Sequence, residues 1–389
     1  MTAEPQRRIR IAHCLEQVRS GGVERRRLSL ARKLDPAKFE QMVICTEALP
    51  ALLAEFEEAG CRVAQIGIMK RGIDWPKIRD AAGLLREFQP DIVHGAVFEG
   101  VIIAALAGHL ARVPKIIAEE IITPVGRRWS GHVYYRLLTA LADRVVAISA
   151  AVSRYLTQTI KLPRSKVRLI YNGVAEAEPA YADELRAVRT SLGLAADAPI
   201  VGTLSRLAGP AGQPPDSHKR ISDAIAAMRL IVDRFPAARM VIVGDGPDRE
   251  FLQRRVAQEG LEGTVIFAGF QARVRPFLEC MDVLVHPAES EGLPLALVEA
   301  MFASRPIVAS NVAGSNEVVA DGETGLLVPV RNPGALARCT IALLENPRLR
   351  ADMGAAALRR ARELFSEDRY VRQVASLYEE LAPNRPDCS

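Results

Sequence analysis

Long apolar runs are missing from this chain of 389 residues: none approaches the roughly 18 to 20 that a membrane-spanning helix requires. The opening MTAEPQRRIR carries no apolar core segment, so no cleaved secretion signal is expected. Cysteine is scarce and scattered. The six (Cys14, Cys45, Cys61, Cys280, Cys339, Cys388) form no C-x-x-C pair, which argues against a zinc or disulfide framework and for reduced, buried thiols. Excess charge is also small, at +5. That permits contact with anionic ligands or membrane surfaces without requiring it, and no nucleic-acid partner is expected. Low-complexity tracts and short repeats are absent.

The chain does have the apolar content for a proper core, with 49% hydrophobic and 25% charged residues. Its length calls for two domains or three. Short β-branched runs alternate with amphipathic stretches from end to end. RIRIAHCL, FEQMVICT, RVAQIGI, DIVHGAV, KIIAEEI and RVVAIS read as six strands in the first part. IVGTLS, RMVIVGDG, TVIFAGF, DVLVHP, PIVAS and GLLVP read as six in the second. Helical patterns such as VERRRLSLARKL and KRISDAIAAMRLIVDRF separate most of them. This alternation predicts an α/β fold of two Rossmann-like, doubly wound parallel-sheet domains. The join is placed near IYNGV, giving residues 1–172 and 173–365. Ligands of such sheets bind at the carboxyl ends of the strands, here in a cleft between facing domains.

The stretch ESEGLPLALVEAM (289–301) places Glu291 in a loop and Glu299 inside the following helix, with Pro294 suited to its first turn. Eight helical residues would span about 12 Å. The paired acids of glycoside hydrolysis sit roughly 5 to 9.5 Å apart. Glu291 and Glu299 therefore suit two ends of one elongated ligand better than one scissile bond. Gly292, Leu293 and Pro294 lie between them, offering amides at the helix start. A solvated acid and an ordinary helix-face Glu are the bland alternative.

Other strand ends carry chemistry-bearing groups. VGTLSR ends in Arg206, and Lys219 opens a helix, beyond the linker LAGPAGQPPDSH. VGDGPDRE lacks the third glycine of G-x-G-x-x-G, so Gly244 and Gly246 read as ligand-approach or turn glycines, not as a dinucleotide fingerprint. Phe270 follows FAG. Ser315 sits in AGSNEVV, a Gly/Ser-rich helix start. Gly21 and Gly22 precede the first helix, and His94 ends the strand DIVH. Each has a structural reading beside the functional one.

The segment HPAESEGLPLALVEAMFASRPIVASNVAGSNEVVADGETGLLVPV (286–330) resembles the signature region of retaining GT-B glycosyltransferases of the GT4 family. The likeness is strong from about 199 to 382 and weaker from 9 to 174. It implies GT-B architecture and a nucleotide diphospho-sugar donor on the second domain. The acceptor, a glycan, a small molecule or a lipid-linked species, would rest on the first. A final helix within 366–389 would pack back on the first domain. It further implies that Arg206 and Lys219 hold the diphosphate in place of a metal, with no cofactor. Glu291 would lie near the sugar and Glu299 at the ribose, with Gly21, Gly22, Gly244, Gly246, Phe270 and Ser315 around the ligands. Arg220 is the weaker alternative to Lys219.

Two departures stand out. The family's usual N-domain His is absent, with Glu119 and Glu120 in its place, leaving His94 as an available polar group. Ser304 stands where relatives often carry Gly.

Arg25, Arg26 and Arg27, MKRGIDWPK (69–77) and GRRWSGHVYYR (126–136) combine basic and aromatic residues. They suit peripheral contact with an anionic membrane at a cytoplasmic face, or merely a solvated surface. A sugar-nucleotide epimerase and a non-catalytic nucleotide- or glycan-binding relative are the rival readings, with a nicotinamide dehydrogenase the weakest.

Overall fold

A computed structural model describes residues 7–18, 21–70, 73–124, 129–209 and 212–382. The chain divides into two compact units, 1–173 with 367–389, and 174–366.

In the first unit a sheet of seven parallel strands runs in the order β3-β2-β1-β4-β5-β6-β7. The strands are β1 (Ile9–Val18), β2 (Phe39–Ala48), β3 (Arg62–Gln65), β4 (Ile92–Ala96), β5 (Lys115–Glu120), β6 (Arg144–Ala147) and β7 (Val167–Leu169). Central strands are apolar on both faces because helices cover both. Ile11, Ala12, Cys14 and Leu15 of β1 are all buried. The seventh strand escapes the sequence reading. It is a three-residue edge strand with Arg168 and Leu169 exposed, too short to show a period.

The last helix, Glu367–Leu381, belongs to this unit. Its Tyr370, Val371, Val374, Leu377 and Tyr378 form one apolar face against Ile11, Leu30, Ile92 and Ile117. These positions recur at the helical period, so the face is continuous. Burying each of its aliphatic side chains is worth about 1.5–3 kcal/mol.

The second unit holds six parallel strands in the order β10-β9-β8-β11-β12-β13. They are β8 (Ile200–Leu204), β9 (Arg239–Val243), β10 (Val265–Gly269), β11 (Val283–His286), β12 (Ile307–Ser310) and β13 (Gly325–Val328), matching the six apolar runs one for one. Helices Ile221–Arg234 and Pro333–Glu345 pack on one face, where Ile225, Met228, Met240, Ile242, Leu336 and Leu343 share a core. Both sheets change strand order at their first strand, so β1/β4 and β8/β11 are the topological switch points.

Candidate functional site

The candidate residues of the second unit all follow the carboxyl ends of its strands. Arg206 lies two residues beyond β8, Gly244 directly after β9, Phe270 directly after β10, and Ser315 beyond β12. Glu291 follows β11, whose last residue is His286.

At the centre of this edge is one carboxylate oxygen. Glu291 Oε1 accepts from Lys219 Nζ at 2.7 Å and from His286 Nε2 at 2.9 Å. Burial by itself would push the Glu291 carboxyl up, but Lys219 and His286 outweigh it and bring it down to about 2. Beside them, burial and the Lys219 charge lower His218 despite Glu291. The sequence reading did not single out His286. Its signal was the spacing H-P-A-E-S-E, a histidine closing a buried strand five residues before the acid.

Local backbone geometry aims Lys219. Asp216 accepts from the amides of Ile221 and Ser222, both at 2.7 Å, and its own amide donates to Asp248 at 3.0 Å. Asp216 and Arg220 both adopt left-handed φ, 56° and 55°. That turn sends the two cations apart. Arg220 is taken by Asp223, at 3.0 and 2.7 Å, while Lys219 reaches Glu291. The His218 carbonyl accepts from the Glu289 amide at 2.9 Å, tying this loop to the segment that carries Glu291. Arg206 is exposed and, among the described residues, makes no ion pair.

Gly244 and Gly246, with φ of 128° and 154°, lie where a Cβ would overlap the Ser205 and Leu207 carbonyl oxygens. Glycine is needed there to pack the β8 and β9 loops together, which satisfies the turn reading. A Cβ on Gly314 would stand 2.6 Å from the Gly292 carbonyl, so the loop before Ser315 rests directly on the Glu291–Gly292 segment. Ser315 is fully buried, and its Oγ has no partner among the described residues. Phe270 is 63% exposed at the strand edge.

Helix Leu295–Phe302 starts after Pro294, which stands at the N-cap instead of the first turn; Leu293 is buried. Glu299 lies on this helix, half-buried.

In the first unit the structure corrects two expectations. His94 has no exposed surface. Its Nδ1 lies 2.8 Å from the Tyr378 hydroxyl, and its Nε2 lies 3.3 Å from Glu119 and 3.2 Å from Arg27. A ring enclosed by core partners cannot offer an atom to a substrate, so His94 is a structural residue. Arg26 and Arg27 are buried as well, which removes them from any basic surface and leaves Arg25 exposed. Helical geometry explains it: two of three consecutive residues fall on the face turned towards the sheet and the final helix. Gly21 caps the first helix, Gly22–Lys33, of which Gly22 is the first residue. Arg71, Gly72, Arg127 and Arg128 lie outside the described residues.

Two doubly wound parallel sheets, the second with a cation–carboxylate cluster at its strand ends, make up the two-Rossmann architecture of the GT-B class. Residues 20–178 match the family model Glycosyltransferase Family 4, and residues 215–360 match Glycosyl transferases group 1. The chain is a glycosyltransferase of the GT4 family.

Among its relatives is the 2-deoxystreptamine N-acetyl-D-glucosaminyltransferase of Streptomyces fradiae. It is 28% identical over 351 residues, covering 82% of this chain and 81% of the relative. The D-inositol 3-phosphate glycosyltransferase of Streptomyces avermitilis is 32% identical over 252 residues, 62% of this chain and 52% of that one. The crystal structure of Anabaena Alr3699/HepE in complex with UDP-glucose superposes with a TM-score of 0.83 at 22% identity. That alignment covers 96% of this chain and all of the other, and it shows the fold.

Proposed function

We propose that the protein is a retaining glycosyltransferase that moves a sugar from a UDP- or GDP-linked donor to a glycan, lipid-linked or small-molecule acceptor. The Lys219–Glu291–His286 cluster at the strand ends of the second unit carries this reading. Breaking the anomeric C–O bond leaves both bonding electrons on the diphosphate, while the acceptor oxygen forms the new bond and gives up its proton. The growing negative charge needs fixed cations. Arg206, exposed and without an ion pair among the described residues, and Lys219, whose flexible stem can turn from Glu291, supply that charge without a resident metal. Glu291, held ionised, orients the sugar, and Glu299 holds the ribose. The UDP-glucose complex of the Anabaena structure supports a uridine diphosphate donor.

The first unit would bind the acceptor, and one surface there supports contact with an anionic bilayer. Helix Trp129–Ala140 and the residue after it expose Trp129, Val133, Leu137 and Leu141, at four-residue intervals along one face. Between 121 and 175 the only acid is Asp143, against nine Lys and Arg. Asp143 is paired with Lys115, while Arg136, Arg154, Lys161, Arg164 and Arg168 are exposed. An apolar stripe in a basic field is what an interfacial helix needs. Among the described residues no helix is long and apolar enough to cross a membrane.

A thermal-shift panel of UDP, GDP, ADP, CMP and NAD on the wild type and Glu299→Ala tests the donor site. One of UDP or GDP should raise the midpoint, with the rise lost in the variant. A flat panel, or a shift from NAD alone, would remove the reading.

A further inference from the structure

The Glu291 cluster contains two donors of very different mobility on one acceptor atom. Lys219 reaches Oε1 through a four-carbon stem, with its side chain 23% exposed. His286 reaches the same oxygen from the last position of β11, with its side chain 4% exposed and its backbone paired to Ala309 of β12. A carboxylate only accepts, so Nε2 carries the proton in this contact and the tautomer is fixed. No described residue bonds the second oxygen, Oε2, which leaves that atom for a sugar hydroxyl.

From this difference we propose that His286 is a positioning residue for sugar transfer, holding Glu291 in place while Lys219 leaves it for the donor diphosphate. The proposal rests on the transferase reading above. In the free protein Lys219 and Glu291 neutralise one another. An arriving diphosphate competes for the ammonium, and a lysine can answer by rotating its stem. Glu291 would then lose one of its two donors at the moment its orientation matters. His286 has only two side-chain torsions, and both are confined by burial, so it stays. The swap makes Lys219 the group that answers the donor and His286 the one that keeps the carboxylate aimed. A buried His serving only the packing of β11 would leave turnover dependent on fold alone.

The test follows nucleoside diphosphate release by the full chain from UDP-glucose, UDP-N-acetylglucosamine and GDP-mannose, with water or an added panel of sugar alcohols supplying the acceptor oxygen, in the wild type, Glu291→Ala, His286→Phe and His286→Gln. Loss of alignment at a reacting centre is worth about 10²-fold in rate, and that fall in kcat is expected for His286→Phe. Its donor KM should move by no more than about threefold, since uniform binding is untouched. The Gln side chain places an N–H near the old Nε2 and should restore about tenfold of the loss. With one donor gone, Glu291 takes up a proton more easily, so the acid limb of the His286→Phe rate profile should move to higher pH. Should the Phe variant fail to fold, the Gln variant still reads out the same limb and the same kcat-to-KM split.

Equal losses in Phe and Gln variants with unmoved pH profiles would overturn the positioning role. So would turnover that depends on Glu291 and ignores His286, and that result would leave the transferase reading standing. A wild type that cleaves none of the donors would remove both.

Discussion

Arg27 and Glu119 form an ion pair at 2.9 Å inside the first unit, with side chains 0% and 3% exposed. Arg27 also points an N–H at the Tyr370 hydroxyl, 3.4 Å away, so the pair ties the first helix, β5 and the final helix together. Burial works against the Glu119 carboxylate, yet Arg27 and His94 hold it down at about 2.

Breaking this pair from one side strands a buried charge. Glu119→Ala is expected to cost about 3–5 kcal/mol in urea unfolding, whereas replacing both partners with apolar residues should recover part of the loss. A single variant within about 0.5 kcal/mol of wild type, the range of neutral surface changes, would show that solvent reaches the guanidinium.

The same cluster makes stability fall with acid. Burial and Arg27 lower His94 from 6.5 to about 4, against the pull of Glu119. Between those values the unfolded chain binds a proton that the folded chain does not, so stability rises with pH across the window and is complete above it. The loss on going from pH 6.5 to 4 should be on the order of 3 kcal/mol. Glu119, ionised in the fold below its unfolded value, extends the loss under pH 4.5. Thermal melts of wild type and His94→Gln from pH 7 to 4 check the point. Parallel curves would exclude His94 as the source.

Lys219 and Arg220 are adjacent cations with opposite fates. Lys219→Met should lower turnover by about 10²- to 10³-fold, the cost of one transition-state donor. Arg220→Met should act on stability, by about 0.2–1 kcal/mol for an ion pair near the surface. Steady-state kinetics with a cleaved donor decide it, and equal losses in both variants would break the assignment.

The stripe on helix Trp129–Ala140 predicts co-sedimentation with phosphatidylserine vesicles and not with phosphatidylcholine alone. Trp129→Ser with Leu137→Ser should lower vesicle binding by at least about tenfold and leave the melting curve unchanged, as both side chains are exposed. Binding indifferent to either change would point to a solvated face.

The alternation of elements, both sheets apart from the edge strand β7, and the GT4 signature were legible from sequence, because strand runs, crossover helices and loop motifs are local patterns. All six strands of the second unit coincide with apolar runs. Ser304, noted in the sequence only as a departure from the family pattern, takes φ 55° just past helix Leu295–Phe302, the left-handed backbone that favours glycine. A left-handed non-glycine residue there costs about 1–2 kcal/mol. What the sequence could not settle was which polar side chains face a ligand and which face one another. Arg25, Arg26 and Arg27 look alike in a row, yet helix rotation leaves the first exposed and buries the other two. His94 and His286 both sit on buried strands, but His94 lies in the middle of β4, two residues before its end, enclosed by Tyr378, Arg27 and Glu119, while His286 closes β11 and grips Glu291. Residue type and spacing along the chain determine the elements. Partner choice across the sheet depends on groups as many as 343 residues apart, and only the packed tertiary structure brings those together.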